Sequence, residues 1–527
     1  MKIDPNINTL PDLLRRRARI EPDSPFVRLR DQALTYGEFD AHTDELAAGL
    51  AELGVAPGDV VSVFLPNCIE FLEAWFAVLK AGGVLGPVNP AYTGPEARFV
   101  VDDSGAVAVV TNAHGVDVIG PEREGIRRLR NVVSIDSGGD VALAELAGRG
   151  GRPPAPIPAR GLDDLAALLY TSGTTGKPKG AMLSHRNQLV NATQGAELVP
   201  LGPGDRVGML LPLFHANAQV VTTLIPIMIG CEIVMWERFS ASNFWQTVAD
   251  LEPASLSAVP TILAAVLHAP GAPEGKTSLR YVICGAAPLS VELLEAFQRR
   301  FGIRVLEGYG MTETSCIASI NPFYGDRKAG SIGLPIRGQQ MEIRSGAGER
   351  AAPGEYGEIV VRGPNVMRGY LNRPEATAES IRDGWLHTGD IGYMDEDGYF
   401  FIVDRSKDMI IRGGENIYPR EIEEVIYAFE GVHECAVIGV PHDIRGEEVL
   451  ALVVPKAGTT LDLDALAEHA AERLARYKLP RQFEVRDELP KTPTGKISKG
   501  PLREQFGTWT TSTPASASTR GSRVAKS

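Results

Sequence analysis

Cysteine is scarce in this chain and scattered along it. The five cysteines, Cys68, Cys231, Cys284, Cys316 and Cys435, form no CxxC pair. This excludes the common zinc-ligand spacings and offers no disulfide framework, so a reducing cytoplasm is expected. Positive charge is also short: 53 Lys and Arg stand against 66 Asp and Glu, for a formal net charge of -13. A duplex nucleic-acid partner would need a clustered excess of Lys and Arg, whereas an anionic small molecule needs only a local site. Long hydrophobic runs are missing too. The amino-terminal MKIDPNINTL lacks the apolar core of a signal peptide. The longest apolar stretch, Val220 to Trp236, is interrupted by Thr222, Thr223, Pro226, Gly230 and Glu232. It reads as a buried helix followed by a strand, so no integral membrane segment is expected. No internal repeat is found.

What is present is enough for a large core. With 527 residues, 44% of them hydrophobic and 23% charged, a globular chain of more than one domain is expected. Through the first four hundred residues, short β-branched runs alternate with amphipathic stretches. VVSVFL precedes EFLEAWFAVLKAG, and YVICG precedes VELLEAFQRRF. This rhythm predicts an α/β fold with helix-covered parallel sheets. From Gln339 to Val403 it gives way to closely spaced strands (QQMEIR, GEIVVRG, GYFFIVD) between Gly, Pro and Asp turns, predicting an antiparallel or barrel-like β segment. The charged DRSKD, Asp404 to Asp408, looks like a linker. Beyond it, a helix opening at Pro419, strands at CAVIGV and ALVVPK, and a helix near Leu463 to Ala475 predict a small α+β domain. The expected division is a large N-terminal domain over 1–404, a hinge over 405–408, a C-terminal domain over 409–506 and a disordered tail, rich in Ser, Thr and Ala, over 507–527.

The segment with the clearest chemistry is YTSGTTGKPKG, Tyr170 to Gly180, after the apolar run LAALLY. Three glycines, four aliphatic hydroxyls and two lysines on one loop present many donors and positive charge to a polyphosphate. No GxxxxGK[ST] frame fits, so an ordinary P-loop enzyme is disfavoured. This loop resembles the signature of the adenylate-forming superfamily, which contains acyl-CoA synthetases, peptide-synthetase adenylation domains and luciferases. Further motifs similar to that family follow in order: GAAP (Gly285 to Pro288), GYGMTET (Gly308 to Thr314), HTGD (His387 to Asp390), DRSKDMIIRGGENIYPREIE (Asp404 to Glu423) and PKTPTGKISK (Pro490 to Lys499). The similarity spans roughly residues 10 to 505.

The resemblance implies a two-domain fold and roles for individual residues. Adenylation joins two anions, so charge must be neutralised as a carboxylate attacks the α-phosphate of ATP and pyrophosphate leaves. Thr171, Ser172, Gly173, Thr174, Thr175 and Lys179 would hold the departing phosphates, Thr312 the α-phosphate, and Glu313 a Mg2+ ion. Tyr309 would stack on adenine beside Gly310 and the backbone of Gly285, Ala286 and Ala287. Asp390 and Arg405 would take the ribose hydroxyls. Lys496 is the implied catalytic cation, because a flexible ammonium can reach both the carboxylate and the α-phosphate. His215 aligns with the position that gates the acid and thiol paths. An acyl pocket would involve Asn217, Gln219, Pro260 and Thr261, with the two amides either recognising a polar group on the acid or bonding to nearby backbone. Lys407 takes the hinge position. Gly413, Gly414 and Asn416 would line or shape a pantetheine channel. Asp404 departs from the Gly that many relatives carry before the linker Arg.

The function expected is an ATP-dependent acid:CoA ligase with a small-molecule carboxylic acid as partner and coenzyme A as co-substrate. Two alternatives remain open in the sequence. One is a free-standing adenylation enzyme that charges a carrier protein. The other is an adenylate-forming enzyme with a non-thiol second step, such as a luciferase-like oxygenase or an enzyme activating nitrite.

Overall fold

The run VVSVF, Val60–Phe64, is buried at all five positions, as a strand covered by helices on both faces must be. Helix Ile69–Lys80 follows, and the chain returns as the parallel strand Val84–Pro87. The computed structural model describes residues 6–148, 160–171, 178–273, 275–405, 408–412, 415–442, 445–491 and 497–506. In it, this β-α-β unit belongs to a seven-stranded sheet. The spatial order is Val141–Ala142, Asn131–Ser134, Ala108–Thr111, Val60–Phe64, Val84–Pro87, Leu165–Thr171, Lys179–Ser184. Every neighbour is parallel except the last pair.

A nine-stranded sheet carries the second half of the alternating pattern. Its centre is parallel from Arg304–Tyr309 through Tyr281–Cys284, Ser255–Ala258, Arg206–Met209 and Glu232–Met235 to Pro25–Leu29. Antiparallel strands finish each edge: Ser319–Ile320 with Leu334–Pro335 on one side, Gln32–Thr35 on the other. Both YVICG and VELLEAFQRRF fold as the sequence pattern predicts, into strand Tyr281–Cys284 and helix Val291–Phe301. The turn-rich region forms a curled third sheet, with Gln340–Arg344 antiparallel to Gly357–Arg362 and Ile381–Arg382 antiparallel to Trp385–Met394. Among the described residues, no helix is long and apolar enough to cross a membrane.

The chain divides into two compact units, Met1–Thr388 with Tyr393–Phe401, and Gly389–Gly392 with Ile402–Ser527. The smaller unit is built on Val432–His442 and Gly446–Pro455, an antiparallel pair apolar on both faces. Val437, Val449, Ala451 and Val453 pack under Ile422, Ile426 and Leu466 of helices Pro419–Tyr427 and Leu463–Arg473. The alternate residues Ile438, Leu450 and Leu452 pack with Leu502 and Phe506 of helix Lys499–Phe506. The period of two thus serves two cores at once. The predicted tail over 507–527 lies outside the described residues.

One buried histidine links elements of the larger unit. Ser184 caps helix His185–Leu198 through reciprocal bonds with Asn187. His185, 1% exposed, accepts the Leu10 N–H at its Nδ1 (3.2 Å). Burial, reinforced by nearby Arg160, pulls its pKa down to about 4. The unfolded chain therefore binds the proton more tightly. The associated stability is fully present above the unfolded pKa of about 6.5 and is lost as pH falls towards the folded value, by roughly 3 kcal/mol in all. We expect urea midpoints to fall between pH 6.5 and 4.5, and His185→Gln to flatten that slope while lowering stability at neutral pH. An unchanged slope in the variant would assign the acid sensitivity to other groups.

Candidate active site

Two strands bring the ends of the hydroxyl-rich loop together. Thr171 closes Leu165–Thr171, Lys179 opens Lys179–Ser184, and the two are directly paired in the antiparallel ladder. Ser172, Gly173, Thr174 and Thr175 lie outside the described residues.

The GYGMTET segment leaves the end of strand Arg304–Tyr309 and turns sharply. A Cβ on Gly310 would stand 1.5 Å from the carbonyl oxygen of Cys316, so only glycine permits this approach. Thr312–Thr314 forms a single 3-10 turn, closed by the left-handed Ser315 at φ 64. Ser315 Oγ donates to Asn365 O (2.7 Å), and Asn365 Nδ2 donates to Thr314 O (3.1 Å). Glu313 is 6% exposed, and its backbone carbonyl accepts the Met367 N–H (2.8 Å). This turn is therefore held from below by residues 365–367, which the sequence reading did not single out.

Glu313 meets the end of the hydroxyl-rich loop across 142 residues of sequence, with Thr171 Oγ1 at 3.5 Å from its Oε1. The same oxygen accepts a 2.7 Å hydrogen bond from the Tyr370 hydroxyl. Lys179 Nζ stands 5.3 Å from the centre of the Tyr370 ring. Burial, with the neighbouring Glu313 charge, pushes the phenol pKa upward, so Tyr370 remains a donor. Thr171, Lys179 and Glu313 were all expected at the site; Tyr370 was not, because no periodicity or motif separates it from an ordinary core tyrosine. Among the described residues no group of three or more His, Cys, Asp and Glu could hold a metal by itself. A lone buried carboxylate with adjacent hydroxyls and a lysine fits Mg2+ held jointly with phosphate oxygens.

The GAAP segment follows strand Tyr281–Cys284. A Cβ on Gly285 would approach Gly308 O to 2.7 Å, so this backbone lies against the start of the GYGMTET segment. Ala286 takes the left-handed conformation at φ 67, which costs a residue with a Cβ about 1–2 kcal/mol.

His215 precedes helix Ala216–Gln219, its ring 4.1 Å from that of Phe214. The helix continues through a π turn, Val220–Leu224, into Ile225–Ile229, and strand Glu232–Met235 follows as the sequence predicts. Pro226 explains the wide turn: it lacks an N–H and its ring would crowd a regular i-4 carbonyl. Thr222 and Thr223 both donate to Ala218 O (3.1 and 2.9 Å). The two amides left open by the sequence separate here. Gln219 is fully buried, donates to Leu213 O (3.0 Å) and accepts from Gln188 Nε2 (3.4 Å), so both ends of its amide are engaged within the protein. Asn217 is half-buried, and its buried Oδ1 has no hydrogen-bond partner among the described residues. Pro260 is buried at the first turn of helix Pro260–Leu267, whereas Thr261 beside it is exposed.

In the smaller unit, Asp390 is 6% exposed on strand Trp385–Met394, and Arg405 ends strand Phe400–Arg405. The strand thus runs through Asp404 and Arg405, the first two residues of the segment read as a linker. Asp404 has a structural role: its Oδ2 accepts the Arg420 N–H (2.9 Å). Helix Pro419–Tyr427 has no cap from its own Tyr418, so a carboxylate 16 residues upstream satisfies a first-turn donor that Gly could not. Asn416 lies on the short strand Glu415–Ile417, paired with Ile411. Lys407, Gly413, Gly414 and Lys496 lie outside the described residues.

Comparison with known proteins gives the family of the chain. Residues 14–371 match the family described as AMP-binding enzyme, and residues 421–496 match the AMP-binding enzyme C-terminal domain. The chain is 40% identical over 494 residues to a feruloyl-CoA synthase of Amycolatopsis sp, covering 93% of this chain and 98% of that protein. It is 36% identical to a long-chain-fatty-acid–CoA ligase of Bacillus subtilis, covering 94% of each. The crystal structure of ATP-bound MatB from Rhodopseudomonas palustris superposes with a TM-score of 0.87 at 33% identity, over 95% of this chain and 99% of that one. With both family domains matched along its length, the chain belongs to the AMP-binding enzyme family of adenylate-forming acyl-CoA ligases.

Proposed function

We propose that this AMP-forming acid:CoA ligase, which uses ATP to turn a carboxylic acid into an acyl adenylate and then into a coenzyme A thioester, acts on a monocarboxylic acid with an apolar body. The convergence of Thr171, Lys179 and Glu313 supports the adenylation half, since it places hydroxyls, a cation and a metal-binding carboxylate around one point. For the acid, the segments His215 to Val221, Val259 to Thr261 and Ile283 to Ala287 contain no Arg or Lys, so no permanent cation there would neutralise a second carboxylate. Asn217 offers one polar contact beside the apolar helix. Relatives named for feruloyl-CoA and for long-chain fatty acids support an aromatic or aliphatic body, whereas others named for sulfoacetate and oxalate point to small dianionic acids, which would need a permanent cation that these segments lack. Five free cysteines support a reducing cytoplasm as the location.

Bound Mg2+ would neutralise phosphate charge as pyrophosphate leaves. In this reading Glu313 holds the ion, Lys179 and the loop residues Thr171 to Thr175 hold the β- and γ-phosphates, and Thr312 holds the α-phosphate. Tyr309 and the 285–287 backbone enclose adenine, while Asp390 and Arg405 fix the ribose. Lys496 neutralises the charge shared between acid and α-phosphate. For thioester formation the smaller unit turns about Lys407, exchanging Lys496 for the Gly413 and Gly414 loop, and His215 gates the path of the thiol.

The test is acid-dependent exchange of pyrophosphate into ATP without coenzyme A. Aromatic and fatty monocarboxylic acids should support exchange and dicarboxylic acids should not. ADP and phosphate as products would overturn adenylation, while equal exchange with dicarboxylic acids would overturn only the substrate class.

A further inference from the structure

We propose that Tyr370 is a positioning residue for the metal-binding carboxylate of Glu313, fixing which of its two oxygens faces the ion. The proposal rests on the metal role of Glu313 given above. Its geometric basis is a phenol whose position is set from several directions. Leu371 N donates to Gly180 O, Tyr370 pairs with Ala181 in an isolated bridge, and its own N–H donates to Thr377 Oγ1 (2.9 Å). The side chain is 9% exposed, so the hydroxyl has little freedom to swing away. It donates to Glu313 Oε1 at 2.7 Å, and Thr171 Oγ1 approaches the same atom.

The short phenol bond engages Oε1, with Thr171 Oγ1 beside it, and leaves Oε2 as the oxygen with capacity for a cation. A carboxylate held in this way binds one-sidedly, which suits an octahedral ion that keeps its other positions for phosphate oxygens and water. The ring has a second use, because the Lys179 ammonium lies over its face, where the negative π surface attracts a cation. One side chain thus ties the cation of the phosphate loop to the carboxylate of the metal site. A hydrogen-bonding partner behind a metal ligand typically controls about 10–100-fold in metal affinity.

The experiment measures Mn2+ binding by electron paramagnetic resonance to the full-length enzyme with α,β-methylene-ATP, beside metal-free analogue binding in EDTA. Tyr370→Phe keeps the ring and removes the donor. It should weaken Mn2+ binding about tenfold and leave metal-free analogue binding unchanged, a split that general loosening of the fold would not produce. Glu313→Gln should weaken Mn2+ binding further. If Tyr370→Phe binds Mn2+ as wild type while Glu313→Gln does not, the positioning role is overturned and the metal role of Glu313 stands. If Glu313→Gln also binds as wild type, the metal role falls, and the positioning role with it. If Tyr370→Phe loses metal-free binding in parallel, its role is structural packing and the proposal fails. Tyr370→Met, which also lacks a donor and packs adaptably, carries the same measurements if the Phe variant does not fold.

Discussion

Lys496→Ala is expected to lower the rate of adenylate formation by about 10²–10³-fold, the scale seen when one group stabilising transition-state charge is removed. The acid brings one negative charge to a polyphosphate, and the new P–O bond forms with that charge spread over the carboxylate and α-phosphate oxygens. A lysine ammonium is a compact charge on a flexible stem and can follow this redistribution; the planar guanidinium of Arg matches it poorly. Thiol attack on a preformed acyl adenylate makes no such demand, because the leaving AMP is already bound and the carbonyl is activated. The second half-reaction should therefore remain largely intact in this variant. Gly414→Leu should show the opposite pattern, since on the role proposed for that glycine a bulky side chain hinders the thiol and spares adenylation. Single-turnover assays with ATP and acid, or with synthetic acyl adenylate and coenzyme A, separate the two steps. Equal damage to both steps by both folded variants would remove support for an alternating small domain.

Gly310→Ala is expected to be nearly as damaging, for a reason of space. The added Cβ would meet the Cys316 carbonyl oxygen at 1.5 Å, its carbon at 2.6 Å and Ile317 Cα at 3.1 Å. All three are backbone atoms, so no side chain can rotate aside. The turn from Met311 to Ser315 must move, and it carries Thr312 and Glu313. Overpacking of this kind costs about 1–3 kcal/mol and occasionally more, and here the upper end or beyond is expected. Urea denaturation should show the loss of stability, and calorimetric titration with Mg2+ and ATP should show weakened binding. Gly204→Ala is the control: φ is 82, but nothing lies within 4 Å of its Cβ. Its cost should stay near the roughly 1–2 kcal/mol of a left-handed residue, with nucleotide binding unchanged. Wild-type stability and binding in Gly310→Ala would mean that the turn has slack absent from this structure.

The sequence by itself determined the local elements and the chemistry they carry. Val60–Phe64, Tyr281–Cys284 and Val291–Phe301 follow from patterns of two and 3.6 residues that each segment contains within itself. The hydroxyls and lysines of Tyr170 to Gly180 indicate a polyphosphate whatever surrounds them, and the ordered motifs carry the family. Tertiary structure decided what depends on distant partners. Tyr370 acquires its place from Glu313, 57 residues earlier in the chain, and from Lys179 on another sheet strand. Asp404, a departure in a motif when read alone, is the missing cap of a helix that begins 15 residues later. Asn217 and Gln219 are both amides on one short helix, yet only the second reaches the Leu213 carbonyl. A periodic signal records which face of an element is buried. It does not record which particular atom comes to lie 3 Å from a given donor, because that depends on the packing of segments whose separation in sequence leaves no regular trace.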